Sequence, residues 1–269
     1  MDINDIIKIG KRLKKEIPLH LDELRRGKSG GRGAGGDITH PVDRMAEDIV
    51  LEEAAGLNIP LTIVSEECGV REINGGGPRL LTDPVDGSKN AMTGITLYST
   101  SIALIDGDCI GRVSAGYVLN LVSGDEFWAV KGKGAFMNGA PVRTQQDTGL
   151  KVINYETQTP RLDIPAIMPL LALFNRTRCL GSTALDMAFL SQGAVSVLVI
   201  PSPSRSFDFA AGYLLIKEAG GIVTDTSGRK IEDVEIGVRR ATPLLASANE
   251  EIHRKALRVL RAAGDRPAT

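Results

Sequence analysis

The sequence predicts an α+β first half running into an α/β second half, each a sheet covered by helices. Three observations predict it. Short β-rich runs crowd residues 61–130, strands alternate with helices after about residue 150, and the N-terminal stretch is apolar at helical spacing.

Each element rests on its own pattern. Ile3, Ile6, Ile7, Leu13 and Ile17 fall near helical spacing with Lys and Glu between them, so residues 2–26 begin as an amphipathic helix. Residues 27–36, GKSGGRGAGG, are the most glycine-dense stretch. Such a loop is costly to order, so it is expected to be mobile without a ligand and able to close over one. Pro41 suits the first turn of a second helix, with Val42, Met45, Ala46, Ile49 and Val50 on one face. Residues 61–64 and 80–82 are short β-rich runs, residues 97–105, 112–119 and 126–130 are further strands, and Asn138-Gly139 marks a turn. Then come strand 151–155, helix 163–174, strand 176–180, helix 182–191, strand 194–200, helix 208–219, strand 222–225 and helix 249–263. No repeat or long linker separates the halves, 1–147 and 148–269, which are expected to share one compact body.

Composition narrows the function classes. The chain has 269 residues, 42% hydrophobic and 24% charged, which is ordinary for a globular protein with a buried core. A formal charge of -1 gives no basic field for nucleic acid or an anionic membrane. The N-terminal residues carry acid where a secretion leader carries positive charge, and no run approaches a membrane span. Cys68, Cys109 and Cys179 are far apart and odd in number, which fits a reducing cytoplasm. His20, His40 and His253 have no zinc-ligand spacing.

The chemistry concentrates at strand ends. Glu66 and Glu67 follow one β-rich run, and Asp83 and Asp86 follow the next in Asp83-Pro-Val-Asp86-Gly-Ser88. Pro84 fixes one backbone angle and Gly87 permits a sharp bend, so the two aspartates can turn toward a common point. Carboxylates held this close repel unless cations neutralise them, and hard oxygen ligands suit Mg²⁺ or Mn²⁺. A solvated acidic turn is the plain alternative. Downstream, Ser206 or Asp208 is placed to cap a helix that ends at Gly220-Gly221, with Ala210, Ala211 and Gly212 leaving its start smooth. Gly181-Ser182 opens another helix and offers N–H groups to an anion.

Together these segments resemble the inositol monophosphatase and fructose-1,6-bisphosphatase superfamily. The family's central motif is similar to Asp83-Pro-Val-Asp-Gly-Ser-Lys-Asn90 followed by Ser101-Ile-Ala-Leu104. Phe207-Asp-Phe-Ala-Ala-Gly212 resembles its downstream motif, with Ser65-Glu66-Glu67 and Gly181-Ser182-Thr183-Ala184 as further matches. The resemblance, nearest to the archaeal enzymes of dual activity, implies a layered α-β-α-β-α sandwich (the sugar phosphatase fold) and a lithium-sensitive, Mg²⁺-dependent phosphomonoesterase. It implies that Glu66, Asp83, Asp86 and Asp208 hold the cations with the Val85 carbonyl. By the same resemblance Asp43, Ser88 and Glu66 serve catalysis, Asp43 and Ser88 orienting and deprotonating the attacking water. Gly87 and Ser88 amides would hold the transferring phosphate, with Asp86, Gly181 and Ser182 on the substrate side. A small-molecule phosphate ester and a homodimer are the implied partners. Ser88 replaces the usual Thr and Phe207 the usual Trp, changes that keep the hydroxyl and the metal chemistry.

Arg176, Arg178 and Arg205 offer planar forks for a second phosphate, with structural ion pairs as the alternative. The position seven residues before Asp208, a Glu in inositol-specific relatives, is Pro201. A 3′-phosphoadenosine nucleotide phosphatase is the rival within the family, disfavoured by 4% aromatics. A P-loop at Gly27-Lys28-Ser29 lacks its upstream glycine, since that position is Asp22. A scaffold without activity is the rival of another class, but every matched acid is present.

Overall fold

The computed structural model describes residues 1–27, 30–36 and 38–264. Helices α1 (Ile3–Arg26) and α2 (Pro41–Gly56) precede β1 (Leu61–Ser65), β2 (Gly69–Ile73) and β3 (Arg79–Asp86). After the short α3 (Ser88–Thr93) come β4 (Ser99–Ile105), β5 (Val113–Asn120), β6 (Glu126–Val130), β7 (Ala135–Met137) and β8 (Ala140–Val142). The second part runs β9 (Val152–Tyr155), α4 (Pro160–Leu171), β10 (Arg176–Arg178), α5 (Thr183–Ser191) and β11 (Val197–Arg205). It ends with α6 (Ser206–Glu218), β12 (Ile222–Thr224), β13 (Arg240–Ser247) and α7 (Glu250–Gly264).

The strands form two sheets. One orders β2-β1-β3-β4-β5-β6-β7-β8, and the other β10-β9-β11-β13-β12. Ile6, Ile9, Leu13 and Ile17 of α1 are buried with Val42, Ala46 and Val50 of α2 on the outer face of the first sheet. Helices α5 and α6 fill the space between the sheets, and almost every residue of α6 is buried. Helices α4 and α7 cover the outer face of the second sheet through Ile167, Leu170, Ile252 and Ala256. The five layers are therefore α-β-α-β-α. A helix buried on all sides needs apolar residues all round, which is why Phe207–Glu218 shows no polar stripe.

Gly116 on β5 lets α6 approach the first sheet. A Cβ there would stand 2.8 Å from the Ala211 carbonyl oxygen and 3.0 Å from its Cα, both backbone atoms that cannot rotate away. Gly116→Ala is expected to cost about 3 kcal/mol and to lower Tm by about 8 °C. A thermal melt with an unchanged midpoint would show that α6 does not pack this closely.

Several expectations need correction. Strand β13 is absent from the sequence pattern; it contains Pro243 and owes its place to pairing with β11 and β12. Strand β2 and helix α3 are likewise additions to the expected elements. Strand β11 extends to Arg205, through an irregular stretch between Ile200 and Ser204. Asn138 and Gly139 turn the β7–β8 hairpin, both at positive φ (50° and 82°), the backbone that a two-residue hairpin turn requires. Lys28 and Ser29, part of the glycine loop and of the rejected P-loop match, and Asp37 lie outside the described residues.

Candidate active site

Four elements bring carboxylates to one cleft of about 560 Å³, which is lined by Asp43, Glu66, Glu67, Asp83, Asp86 and Asp208. Strand β3 breaks its register against β4 between Asp83 and Asp86, because Pro84 has no N–H to give to the ladder. The Val85 N–H instead donates to Asp83 Oδ1 at 3.1 Å. Gly87 then turns the chain at φ 90°, and a Cβ there would lie 2.9 Å from the Gly181 carbonyl oxygen. Asn90 clamps this junction by donating to the carbonyls of Leu97 and Leu180, each at 2.8 Å. Ser88 and Lys89, just beyond Gly87, line the cleft.

Asp43 and Asp208 occupy equivalent places in two helices. Each is the third residue of its helix and accepts the N–H of the residue before the first turn: His40 to Asp43 Oδ2 at 2.8 Å, Arg205 to Asp208 Oδ2 at 3.0 Å. That corrects the expected cap of α6. The cap is Arg205, Ser206 lies inside the helix, and Asp208 closes the turn from within.

Electrostatics single out these groups. Burial pushes Asp43 up to about 7, with the charges of Glu67 and Glu66 adding to it and the His40 N–H and Ser88 opposing. Asp208 also rises to about 7, again from burial, with the Arg205 N–H opposing. Asp83 is raised well above the carboxylate range by burial and then by Glu66, Asp86 and Asp208. Asp86 is pushed up by burial and held back by hydrogen bonds from Ser182 Oγ at 2.5 Å and the Ala184 N–H at 2.7 Å.

These residues fit a hard divalent cation. The donors are carboxylate oxygens with the Val85 carbonyl nearby, and their mutual repulsion is what such an ion relieves. Among the described residues no group of three His, Cys, Asp or Glu side chains stands arranged to hold a metal ion as the side chains lie. Glu66 instead pairs with Arg205 at 3.1 Å.

The glycine loop lies against the acidic pair rather than standing free. Ala34 and Gly35 N–H groups donate to the carbonyls of Glu67 (3.1 Å) and Glu66 (2.8 Å), and Arg205 Nη2 donates to the Gly35 carbonyl at 2.6 Å. A Cβ on Gly33 would sit 2.9 Å from the Glu66 carbonyl oxygen, a backbone atom that cannot rotate away, so glycine suits this approach.

The residues expected on the substrate side are placed unevenly. Gly87, Ser88, Gly181 and Arg205 line the cleft. Ser182 does not: it is buried, bonded to Asp86 and Ser99. The N–H groups expected to receive an anion are mostly engaged, Gly181 to Glu156, Ala184 to Asp86 and Leu185 to Ser182. Arg176 and Arg178 lie exposed on the edge strand β10, outside the cleft lining, each turned onto a backbone carbonyl. Arg32, Lys89, Glu156, Thr183 and Arg240 line the cleft without having been anticipated. The only signal for Arg240 is its register opposite Arg205, which sequence does not reveal.

The raised carboxyls give a test without turnover. A group raised in the folded state contributes stability below its unfolded pKa and loses it as pH rises, so metal-free protein gives up stability between pH about 4 and 7 at these sites. A cation competes with those protons. Saturating Mg²⁺ is expected to add about 2.7 kcal/mol near pH 8, raising Tm by about 8 °C, and to add little near pH 5. His253 works in the opposite direction. Burial holds it down to about 4 from an ordinary 6.5, so its contribution, present above 6.5, is lost as pH falls toward 4. Melts with and without Mg²⁺ must therefore be compared at each pH. An equal shift at both pH values would contradict the carboxylate site.

Comparison with known proteins identifies the family and the fold. The model of the inositol monophosphatase family matches residues 2–264. A fructose-1,6-bisphosphatase/inositol-1-monophosphatase of Methanothermobacter thermautotrophicus is 33% identical over 244 residues, 85% of each chain. One from Archaeoglobus fulgidus is 30% identical over 267 residues, covering 97% of this chain and all of that one. The crystal structure of the extragenic suppressor protein suhB from Bartonella henselae superposes with a TM-score of 0.83 at 26% identity, over 96% of this chain and 98% of the other. With its layered fold and its carboxylate cleft, this chain belongs to the inositol monophosphatase family.

Proposed function

We propose that the protein is a Mg²⁺-dependent phosphomonoesterase acting on sugar or polyol phosphates, fructose 1,6-bisphosphate and inositol 1-phosphate foremost. The observation that carries this reading is the convergence of Asp43, Glu66, Asp83, Asp86 and Asp208 on one cleft beside Ser88 and the turn at Gly87. Glu66, Asp83, Asp86, Asp208 and the Val85 carbonyl would hold the cation, with Mn²⁺ as a substitute. When bound, it offsets charge on the phosphoryl oxygens and makes water more acidic.

The protein's own groups do the rest. Asp43, fixed by the His40 N–H, takes the proton of the attacking water, with Ser88 orienting that water. Gly87 and Ser88 present backbone N–H groups where the phosphate turns over. The glycine loop, seated on Glu66 and Glu67, limits access of bulk water. Among the described residues no Phe, Tyr or Trp lines the cleft, which favours a sugar over an adenine base. No described helix is long and apolar enough to cross a membrane. The homodimer implied by the family resemblance and the cytoplasmic location suggested by the cysteines belong to the same proposal.

A panel of fructose 1,6-bisphosphate, inositol 1-phosphate and 3′-phosphoadenosine 5′-phosphate tests it. The first two are expected to be hydrolysed and the third poorly; preference for the nucleotide would overturn the substrate class. Arg205 is the proposed anchor for a distal phosphate. Arg205→Gln should raise KM for fructose 1,6-bisphosphate about tenfold more than for inositol 1-phosphate. Equal losses would assign Arg205 to Glu66 and the loop alone.

A further inference from the structure

We propose that Glu156 is a specificity-determining residue, a carboxylate at the substrate end of the cleft that accepts a hydroxyl carried beside the phosphate ester. The inference rests on the phosphomonoesterase reading and names what part of the substrate this wall takes. Glu156 follows β9 and lines the cleft with Thr157, Gly181 and Thr183. Its Oε1 accepts the Gly181 N–H at 2.6 Å, which fixes the carboxylate over the start of α5.

Three of the amides around that helix start, those of Gly181, Ala184 and Leu185, are already engaged. Ala184 N–H serves Asp86 and Leu185 N–H serves Ser182, so the wall presents an acceptor where an anion site would present donors. The cleft is thereby polarised. Glu156 exerts its charge on Asp86 and Asp186, whereas Arg205 and Arg240 exert theirs on Asp208. A second phosphate is drawn toward the arginines and repelled by Glu156; a hydroxyl is not.

A buried support stands behind it. Asp186 is fully buried on α5, accepts from Asn154 Nδ2 at 2.6 Å through Oδ1, and faces Glu156, while its Oδ2 has no donor. Burial, followed by the charge of Glu156, raises Asp186 well above the carboxylate range. Asp186 thus backs the Glu156 carboxylate from the buried side of α5, while Glu156 itself lines the cleft. A carboxylate has about four lone-pair sites. The Gly181 N–H engages one, and Cys179 Sγ approaches only weakly at 3.7 and 3.8 Å. Acceptor capacity remains for a substrate hydroxyl.

The test uses the full chain with Mg²⁺ and two probes: inositol 1-phosphate, rich in hydroxyls, and p-nitrophenyl phosphate, which has none. Glu156→Gln keeps an oxygen for Gly181 and gives Asp186 an amide partner, so Tm is expected to hold or rise. The ratio of kcat/KM for inositol 1-phosphate over p-nitrophenyl phosphate should fall about tenfold, chiefly through KM. Glu156→Ala should lower the ratio as well. An unchanged ratio in both variants, with or without a loss of Tm, would overturn the inference while leaving the phosphatase reading intact. A parent enzyme that hydrolyses neither probe would overturn both.

Discussion

Asp83→Asn is expected to lower kcat/KM by about a thousandfold, the equivalent of about 4 kcal/mol of transition-state stabilisation. Asp83 is buried and surrounded by Glu66, Asp86 and Asp208, so its charge is tolerable only when a cation answers it. Asparagine keeps the oxygen that accepts the Val85 N–H and removes the charge. The metal-free variant should therefore melt above the parent, because repulsion in the cluster is relieved. Its Tm should hardly respond to Mg²⁺. Calorimetry of both proteins with and without the cation checks this, and a parent-like Mg²⁺ shift in the variant would remove Asp83 from the ligand set.

Asp43→Asn is expected to lower kcat by about a thousandfold while leaving the Mg²⁺-dependent rise in Tm near that of the parent. The side chain sits in the first turn of α2, accepts the His40 N–H, and belongs to the cleft without belonging to the proposed ligand set. Asparagine preserves that hydrogen bond, so α2 should start as before. What disappears is the carboxylate that takes a proton. Loss of activity with the cation response retained assigns Asp43 to proton transfer. Activity within about threefold of the parent, well short of the usual cost of removing a general base, would leave Asp43 a helix-start residue only.

Much of the cleft is legible in the sequence because its acids sit in local motifs at element ends. Asp83-Pro-Val-Asp86-Gly87 contains its own geometry: proline breaks the ladder and glycine turns the chain, whatever lies around it. Asp43 and Asp208 are legible as acids at helix starts, although the pairing of Asp208 with the Arg205 N–H is not. Helices α1 and α2 declare themselves by periodicity. Strand β13 does not, since its identity comes from partners distant in sequence.

The proposed substrate wall is hidden for the same reason. Glu156 reaches the cleft because β9 ends beside α5, and Arg240 because β13 pairs with β11; neither has a local signature. Arg176 and Arg178 are suitable by chemistry alone, but a three-residue edge strand leaves them exposed outside the cleft. Ser182 has the chemistry of a substrate contact, yet its hydroxyl is committed to Asp86. Chemistry at an element's own end is readable; chemistry assembled between elements is not.

The most direct test of the account is phosphate release from fructose 1,6-bisphosphate and inositol 1-phosphate by the purified chain, with Mg²⁺ and after removal of divalent cations by a chelator. The carboxylate cleft predicts turnover with Mg²⁺, loss of nearly all of it on chelation, and recovery when the cation is restored. Turnover that survives chelation, or none on either ester with Mg²⁺ present, would contradict it.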